Sequence, residues 1–394
     1  MPRQRRPEVT PSGLQGFKYF RLILPLLDRL QHIGTERDRA GNRQLFYDEY
    51  LALLLLYFFN PVLTSLRALQ QATDIDKVQK LLGVRRCSLG SLSEATGVFS
   101  AEPLREILRE LASQAVPLEH GHDADALRGL TAVDGTLLHA LPRMAWALWV
   151  NDQHRAAKLH LHFEVFKSAP VAARVTPAAG SEPDQLRHML ESDRLYVVDR
   201  GYMDYQLFLD ILDAGSSFVA RIKENAALTA AEERSLPDAA RAAGVVRDAV
   251  VVRLGTDHHK DVADRPLRLV IVRRRKLDGT PEELWLLTDR LEMPAELVAL
   301  AYRYRWLIEL FFRWFKCILG CRHLLAQDAN GVAIQVYVAL IASLLITLWT
   351  GSKPNKRTWE MIQFYLQGWA TLEELERHLA QQRSKQAAKK KATA

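Results

Sequence analysis

The sequence predicts an α/β protein with a mixed sheet, preceded by a helical region and followed by C-terminal helices. Three observations support this prediction. Apolar residues recur at helical spacing over residues 1–125, short apolar runs alternate with helical patterns from Leu130, and a long helix pattern begins after Pro294. Consecutive strands followed by alternating helix and strand are typical of a sheet with mixed strand directions.

Length and composition narrow the class of protein. A chain of 394 residues suggests two to three domains. Hydrophobic residues make up 48% and charged residues 25%, which excludes wholesale disorder and a collagen-like repeat. The net charge of +7 favours a polyanionic partner, nucleic acid before a membrane surface. With three cysteines and no apolar run directly after the charged N-terminus, we expect a cytoplasmic setting.

Residues 1–125 read as a helical region. Tyr50–Phe59 is apolar nearly all round, and Asn60-Pro61 ends that helix. The short helices that follow carry a set of basic side chains: Arg67, Lys77, Lys80, Arg85 and Arg86. This pattern is compatible with a helix-turn-helix that reads DNA. It is equally compatible with a solvated basic face on a helical bundle.

The other segments follow from changes of pattern. Strands are predicted at Leu130–Val133, Lys158–Phe166, Val171–Thr176, Leu195–Val198 and Ser217–Ile222, within a first sheet segment of residues 126–222. Residues 223–291 read as an insertion of antiparallel strands, and residues 292–350 as a return to helices. Residues 351–394 contain helices and a basic tail. Val332–Trp349 has no formal charge, but its polar side chains favour a buried core helix over a membrane span.

Two aspartates follow predicted central strands. Asp134 follows the run that begins at Leu130, and Asp199 follows Leu195–Val198. A carboxylate at the end of an apolar run is costly unless it is paired or binds a metal. In α/β proteins, ligand-binding and active sites usually lie at the carboxyl ends of the strands. Since a glycine lies within two positions of each aspartate, a turn or capping role is the alternative for either one alone.

A third acidic residue lies in the helix after Pro294. Tyr302, Arg305, Glu309 and Lys316 are spaced three, four and seven residues apart, so they share one stripe of a regular helix. The remaining surface of this helix is strongly apolar, so the stripe either lines a polar cleft or consists of ion pairs. An i,i+4 pair between Arg305 and Glu309 is the structural alternative.

The three carboxylates suggest a metal site. Hard oxygen donors suit two magnesium ions about 4 Å apart, and the absence of His or Cys in the set disfavours zinc. Cys317 and Cys321 could suggest a metal pair, but two small buried side chains are expected. With cations bound to the carboxylates, Arg305 and Lys316 would hold phosphates rather than neutralise the carboxylates.

Together these motifs resemble those of a known family. Asp134-Gly135-Thr136, Val198 to Tyr202 (VDRGY) and the Tyr302–(2)–Arg305–(3)–Glu309–(6)–Lys316 pattern are similar to the signature of DDE transposases of the insertion-sequence-4 type. The resemblance implies a ribonuclease-H-like fold, with Asp134 on the first strand, Asp199 after the fourth and Glu309 on a later helix. The β-rich insertion accounts for the long separation between Asp199 and Glu309.

The resemblance also implies a function. Asp134, Asp199 and Glu309 would hold two Mg²⁺ ions, which Mn²⁺ could replace, and Tyr302, Arg305 and Lys316 would bind a DNA phosphate. The partners implied are transposon terminal inverted repeats, target DNA and a second copy of the chain, in the bacterial cytoplasm at the nucleoid and without a membrane. Two alternatives remain: a metal-dependent nuclease of the same fold, and a catalytically silent DNA-binding regulator.

Two further features bear on DNA. Trp285 could stack on a flipped base, although a core position is favoured for it. The run from Arg273 to Lys276 could contact the DNA backbone or could be the solvated end of a hairpin.

Overall fold

The computed structural model describes residues 20–33, 43–139, 144–151, 154–256, 259–276, 278–321 and 323–393. The charged N-terminal stretch considered above lies outside these residues. The chain divides into two compact units. The helical unit draws on residues 1–115, 138–157 and 312–394, and the sheet unit on residues 116–137 and 158–311.

Helices and strands have the following bounds in chain order. The helices are α1 (Phe20–His32), α2 (Tyr47–Phe59), α3 (Leu66–Ala72), α4 (Asp76–Leu82), α5 (Leu89–Val98), α6 (Glu102–Ser113), α7 (His122–Ala126), α8 (Glu182–Arg187), α9 (Tyr205–Asp213), α10 (Asp238–Ala242), α11 (Ala295–Tyr304), α12 (Trp306–Arg313), α13 (Ala329–Thr350), α14 (Lys356–Leu366) and α15 (Leu372–Thr393). The strands are β1 (Leu130–His139), β2 (Leu148–Asn151), β3 (His154–Glu164), β4 (Ala169–Pro177), β5 (Leu195–Val198), β6 (Ser217–Ile222), β7 (Leu228–Glu233), β8 (Val245–Leu254), β9 (Lys260–Asp261), β10 (Leu267–Arg275) and β11 (Pro281–Thr288).

The core of the helical unit is built on α2 and α13. Every residue of α2 is buried, as its all-round apolar sequence predicts. Among the described residues, α13 is the one helix long and apolar enough to cross a membrane, and 89% of its most apolar stretch is buried inside the protein. It packs against α2, α5 and α6. The structure therefore uses α13 as a core helix, as predicted for Val332–Trp349.

The start of α13 is tied to the turn between α5 and α6. Asp328 caps the helix by accepting a hydrogen bond from the Gly331 N–H at 2.8 Å. The Asn330 side-chain amide donates to the carbonyls of Thr96 and Phe99, at 2.7 and 2.6 Å, and its oxygen accepts from the Ala101 N–H at 3.0 Å. These bonds satisfy backbone groups that the helix ends leave without partners.

The basic side chains predicted for the helical region lie on its surface. Helices α3 and α4 are each seven residues long and are separated by three residues. The basic residues on and just after them are all exposed: Arg67, Lys77, Lys80, Arg85 and Arg86. Arg86 pairs with Asp74 at 2.7 Å, and Arg85 contacts Glu49 at 3.4 Å. Both interpretations of this segment, a DNA reader and a solvated face, are compatible with this arrangement.

The sheet unit is centred on one mixed sheet in the order β3-β1-β5-β6-β11-β10-β8-β7, with β4 beside β3 and β9 beside β8. Strands β1, β5 and β6 run parallel. Strands β7 to β11 pair antiparallel with their neighbours, and β11 joins them to β6. The predicted insertion thus extends the same sheet. The order β4-β3-β1-β5-β6 is the ribonuclease-H-like core, which confirms the predicted fold class.

The predicted long helix after Pro294 is not uniform. Between α11 and α12 the Arg305 N–H bonds to the Tyr302 carbonyl and the Ile308 N–H bonds to the Arg305 carbonyl, both at 3.1 Å, so the backbone tightens to i→i+3 bonding. After α12 the residues Trp314–Ile318 form a π-helical turn. Helix α15 runs through the basic tail to Thr393.

A buried ion pair fixes the start of α11. The Arg268 guanidinium on β10 donates to both oxygens of Asp248 on β8, at 2.8 and 2.6 Å, and both side chains are less than 5% exposed. Arg268 also donates to the Leu291 carbonyl at 3.0 Å and to the Met293 carbonyl. The pair therefore holds the loop that leads into α11 against the sheet.

We expect Asp248→Ala to lower the free energy of unfolding by about 3–5 kcal/mol, because it leaves the Arg268 charge buried without its partner. Asp238→Ala is the matched control. Asp238 pairs with Arg241 at 3.2 Å, but both side chains are exposed, so its loss should cost under about 1 kcal/mol. Urea unfolding measures both variants, and equal losses would contradict the assignment.

Candidate active site

Asp134 lies inside β1 rather than at its end. The register with β5 covers only Leu130 to Ala132, and Asp134 is two residues beyond the last paired position. The prediction that the strand ends at Asp134 is therefore wrong, because β1 continues to His139 with β3 as its other neighbour. The Asp134 side chain is 18% exposed, and its Oδ1 accepts from the Gly135 N–H at 2.7 Å.

Asp199 directly follows β5, where the sequence predicts it. Its Oδ1 accepts from the Gly201 N–H at 2.8 Å and caps the 3₁₀ turn Arg200–Tyr202. Because β1 and β5 are parallel neighbours, the chain leaves their paired region at the same edge of the sheet. The structure thus brings Asp134 and Asp199 to this edge together.

Arg305 links Glu309 on helix α12 to Asp134 at the same edge of the sheet. The Arg305 guanidinium donates to Asp134 Oδ2 at 3.3 Å and to Glu309 Oε1 at 2.5 Å. It lies over the Tyr302 ring, with the guanidinium carbon 5.9 Å from the ring centroid. Helix α12, which carries Glu309, packs against β3 through Phe311 and Phe163, whose ring centroids are 4.9 Å apart. Arg305 therefore joins the strand carboxylate to the helix carboxylate.

The electrostatics of this edge raise the pKa of Asp134. Burial, helped by the charge of Asp199, raises the pKa of the Asp134 carboxyl to about 7 despite the lowering effect of Arg305. Arg305 itself is only 14% exposed; burial lowers the pKa of its guanidinium, but Tyr302, Asp134 and Glu309 together raise it above its ordinary value. Carboxylates this close repel one another, so positive charge lowers the energy of the site.

Arg305 pairs with the carboxylates of Asp134 and Glu309. Its predicted role as a phosphate ligand applies when cations are bound to the carboxylates, and it remains a prediction. The i,i+4 ion pair considered as the structural alternative is present. The physical reason is the repulsion just described, which a guanidinium between the two carboxylates reduces.

Tyr302 and Lys316 have different surroundings. Tyr302 is buried, and its ring supports Arg305. Lys316 is half-buried within the π-helical turn and belongs to the helical unit. The predicted stripe assumes regular α-helical spacing, and the backbone departs from that spacing between Glu309 and Lys316. The binding of DNA phosphate by these residues remains a prediction.

Sequence reasoning missed three residues at this edge: Lys158, Glu182 and Tyr202. Lys158 Nζ on β3 contacts Glu182 Oε1 at 2.5 Å. Tyr202 is fully buried, and the charges that raise its pKa are, in order, those of Glu182, Asp134 and Asp199. A Glu in the first turn of a helix ordinarily indicates only a favourable helix dipole, so Glu182 gave no distinctive signal. The glycines next to Asp134 and Asp199 are the signal that could have indicated crowding.

The donor set fits a hard divalent cation, since carboxylate oxygens are the ligands that Mg²⁺ and Mn²⁺ prefer. In the described part of the chain, no three Asp, Glu, His or Cys side chains are arranged as a metal site as they stand. At this edge Arg305 lies between Asp134 and Glu309, so a cation would compete with it. The expectation that Cys317 and Cys321 are both buried is confirmed for Cys321 and wrong for Cys317, which is exposed because it lies on the outer side of the π-helical turn Trp314–Ile318.

A cavity of about 770 Å³ in the sheet unit has Arg305 and Tyr302 among its lining residues. Five arginines and two acidic side chains are among the residues that line it: Arg221, Arg273, Arg274, Arg303, Arg305, Asp123 and Glu296. Trp306, at 51% exposure, also lines it. Trp285 instead packs partly buried against the core of the sheet unit, as favoured for it above.

The run from Arg273 to Lys276 lies at the end of the hairpin formed by β10 and β11. Arg273 pairs with Glu283 at 2.8 Å and Arg274 with Glu282 at 2.7 Å. This arrangement fits the solvated hairpin end considered above. The two arginines nevertheless line the cavity, so a contact with DNA stays compatible with their position.

Comparisons with known proteins place this site in a family. The family model described as "Transposase DDE domain" matches residues 125–345. A putative transposase (y4zB) of Sinorhizobium fredii is 30% identical over 60% of this chain and 64% of the relative. A probable transposase for the insertion sequence element IS5377 of Geobacillus stearothermophilus is 26% identical over 55% of each chain. The chain thus spans less than two thirds of the length of these relatives.

A solved structure gives a weaker likeness. The synaptic complex of piggyBac transposase with hairpin DNA aligns with 97% of this chain and 87% of the solved chain, at 11% identity and a TM-score of 0.44. That likeness is too low to establish a shared fold. The family match covers more than half of the chain and includes Asp134, Asp199 and Glu309. The chain belongs to the DDE transposase family.

Proposed function

We propose that this protein is a DNA transposase that cuts transposon ends and joins them to target DNA through a 3′-hydroxyl, with Asp134, Asp199 and Glu309 as catalytic residues. One observation supports this most strongly. Three carboxylates that are remote in sequence lie at one sheet edge, where Arg305 contacts Asp134 and Glu309 and the charge of Asp199 acts on Asp134. Membership of the DDE transposase family supports the same chemistry.

The cofactor that fits this proposal is a pair of Mg²⁺ ions, which Mn²⁺ could replace. Asp134, Asp199 and Glu309 would hold them, since all three supply hard oxygen donors. Such ions, when bound, activate the attacking oxygen and stabilise the leaving oxygen in phosphoryl transfer. With the carboxylate charge balanced by cations, Arg305 becomes available to pair with a DNA phosphate.

The chain's own contribution is to hold the DNA in place. Arg305 would bind the phosphate beside the cut, Tyr302 would support its guanidinium, and Lys316 would bind the same phosphate backbone. The other arginines that line the cavity together with Arg305 would bind the DNA phosphates beyond this point. Trp306 is exposed there, and an aromatic ring among arginines suits stacking on an unpaired base.

The partners follow from this chemistry. Residues 1–125 would bind the terminal inverted repeats in double-stranded DNA, and a homodimer would hold two ends. Residues 126–222 and 292–350 would form the catalytic domain around the β-rich insertion, residues 223–291, with residues 351–394 as C-terminal helices and basic tail. Its substrate would place the protein at the bacterial nucleoid, in the cytoplasm.

We expect Asp134→Asn, Asp199→Asn and Glu309→Gln each to lower the rate of strand cleavage by about a thousandfold, because each removes a charge worth several kcal/mol in the transition state. Cleavage of a labelled transposon end with Mg²⁺ measures the loss. Binding to the same end in EDTA should persist. Asp264→Asn, which removes an exposed carboxylate in a turn of the sheet unit, is the control.

The same assay separates the alternatives. Joining of a labelled 3′-hydroxyl end to target DNA supports a transposase, whereas hydrolysis without joining would indicate a nuclease of the same fold. End binding with no Mg²⁺-dependent nicking would indicate a catalytically silent regulator. Normal cleavage by any one of the three carboxylate variants would falsify the proposed catalytic set.

The raised pKa of Asp134 predicts a pH-dependent stability without metal. Since its folded-state pKa of about 7 lies above the ordinary value of 3.8, its stabilising contribution is complete below pH 4 and is lost as the pH rises through 7. The free energy of unfolding of wild type minus that of Asp134→Asn should therefore fall by on the order of 3 kcal/mol between pH 4 and 8 in EDTA. Burial lowers the pKa values of His160 and His162, but both proteins share that effect. A difference independent of pH would contradict the environment described for Asp134.

We expect Arg273→Ala with Arg274→Ala to weaken binding of DNA ends and to reduce the salt slope of log Kd by about 2, because two DNA phosphates are then no longer neutralised by arginine. Arg265→Ala is the control, because Arg265 is an exposed arginine paired with Asp213 at 2.6 Å and does not line the cavity. Fluorescence anisotropy over a range of salt concentrations measures both. An equal slope in the two variants would place the DNA elsewhere.

A further inference from the structure

Lys158 and Glu182 form an ion pair next to Gly135 on β1 and Gly201 in the turn after β5, beside Asp134 and Asp199. Lys158 Nζ lies 2.5 Å from Glu182 Oε1, and the two side chains are 16% and 22% exposed. Lys158 comes from β3, and Glu182 is the first residue of α8. Neither residue belongs to the Asp134, Asp199 and Glu309 set, so the pair needs an explanation of its own.

The glycines of the two aspartate motifs show how closely this pair fits. A Cβ placed on Gly135 would lie 2.5 Å from Lys158 Cε and 3.0 Å from Glu182 Oε1. A Cβ placed on Gly201 would lie 2.5 Å from Glu182 Oε2 and 3.1 Å from Asp199 Oδ1. Both distances of 2.5 Å are shorter than a real Cβ tolerates, so any side chain at these positions displaces the pair.

The Glu182 carboxylate therefore lies between β1 at Gly135 and the turn after β5 at Gly201. Its Oε1 faces Gly135, whose N–H is held by Asp134, and its Oε2 faces Gly201, whose N–H is held by Asp199. Since Glu182 Oε2 and Asp199 Oδ1 are 2.5 and 3.1 Å from one point, they lie within 5.6 Å of each other, the sum of these two distances. A movement of the Glu182 side chain would therefore alter the surroundings of both Asp134 and Asp199.

Tyr202 supplies an independent sign that this carboxylate matters. Its side chain is 1% exposed, and within the described part of the chain its hydroxyl has no hydrogen-bond partner. Leaving a buried hydroxyl unpaired costs about 1–3 kcal/mol. Burial raises the pKa of the Tyr202 hydroxyl most, and the charge of Glu182 raises it next, so the Glu182 carboxylate acts electrostatically on this buried side chain.

We infer that Lys158 and Glu182 are a positioning pair that sets the separation of Asp134 and Asp199 and thereby the affinity of the site for divalent cations. This inference rests on the proposed function. The pair adds no net charge, so it can hold β1 and the turn after β5 in place without increasing the repulsion among the carboxylates. Groups that orient metal ligands without touching the metal typically change metal affinity or activity by about 10- to 100-fold when they are lost.

The test is Mn²⁺ binding to the full chain without DNA, followed by electron paramagnetic resonance. Replacing the pair by Lys158→Met with Glu182→Gln keeps side-chain size and net charge, and we expect it to weaken Mn²⁺ binding by about 10- to 100-fold. Mn²⁺-dependent cleavage of a transposon end should recover at correspondingly higher Mn²⁺ concentrations. Lys167→Met is the matched control, since it breaks another partly buried pair, Lys167 with Glu164 at 3.1 Å.

Gly201→Ala gives a second measurement that leaves every charged side chain in place. Its new Cβ should displace Glu182 and weaken Mn²⁺ binding in the wild-type background, but should have little further effect once Glu182 is Gln and Lys158 is Met. Thermal unfolding in EDTA checks that each variant is folded. Because the expected loss disappears in one background, a general folding defect does not reproduce this pattern.

Three results would overturn the inference. If the paired replacement binds Mn²⁺ as wild type does, the pair has no positioning role. If Lys158→Met alone tightens Mn²⁺ binding while Glu182→Gln abolishes it, Glu182 binds the cation directly. If wild type and Asp134→Asn both bind no Mn²⁺, the inference fails together with the proposed function, so the two failures are distinguishable.

Discussion

Mutual repulsion among carboxylates at one sheet edge is the constraint on which this site depends. Burial and the charge of Asp199 raise the pKa of Asp134 to about 7, and Arg305 opposes that rise from between Asp134 and Glu309. The Arg305 guanidinium can stay between the two carboxylates only if the side chain and backbone of Arg305 are held in position. The Tyr302 ring beneath it and the anchored start of α11 provide that support. Positive charge is thus built into the site, and any cation that binds there must compete with it.

The β-rich insertion, residues 223–291, contributes to the position of Arg305 and Glu309. Because β11 pairs with β6, the inserted strands continue the sheet. Helix α11 then packs across β5, β6, β8, β10 and β11, so it spans both the ribonuclease-H-like core and the inserted strands. The buried Arg268–Asp248 pair ties the loop before α11 to two of those strands. The inserted strands therefore help to position Arg305 and Glu309 next to Asp134 and Asp199, which lie far earlier in the chain.

Much of the fold could be predicted from local pattern, and the failures share one cause. Strands β5 and β6 have the predicted bounds, and Asp199 lies where expected, because short apolar runs bounded by polar residues reflect local preference. The predicted end of β1 at Asp134 was wrong because strand length also depends on neighbouring strands, which no local pattern reveals. The contact of Arg305 with Asp134 was not predicted, because a helical wheel shows only the residues of its own helix and not Asp134 on β1. Lys158 and Glu182 escaped notice for the same reason.

The glycines beside the two aspartates show what a motif can contain beyond its reactive groups. Gly135 and Gly201 have ordinary backbone angles, so they are not required by a turn that only glycine can form. Their lack of a side chain instead leaves room for the ion pair: Lys158 Cε lies 2.5 Å from where a Cβ on Gly135 would stand, and Glu182 Oε2 lies 2.5 Å from where a Cβ on Gly201 would stand. The spacing of aspartate and glycine in both motifs thus accommodates a tertiary ion pair. On this view the motif specifies the carboxylates together with the space for the pair that holds them apart.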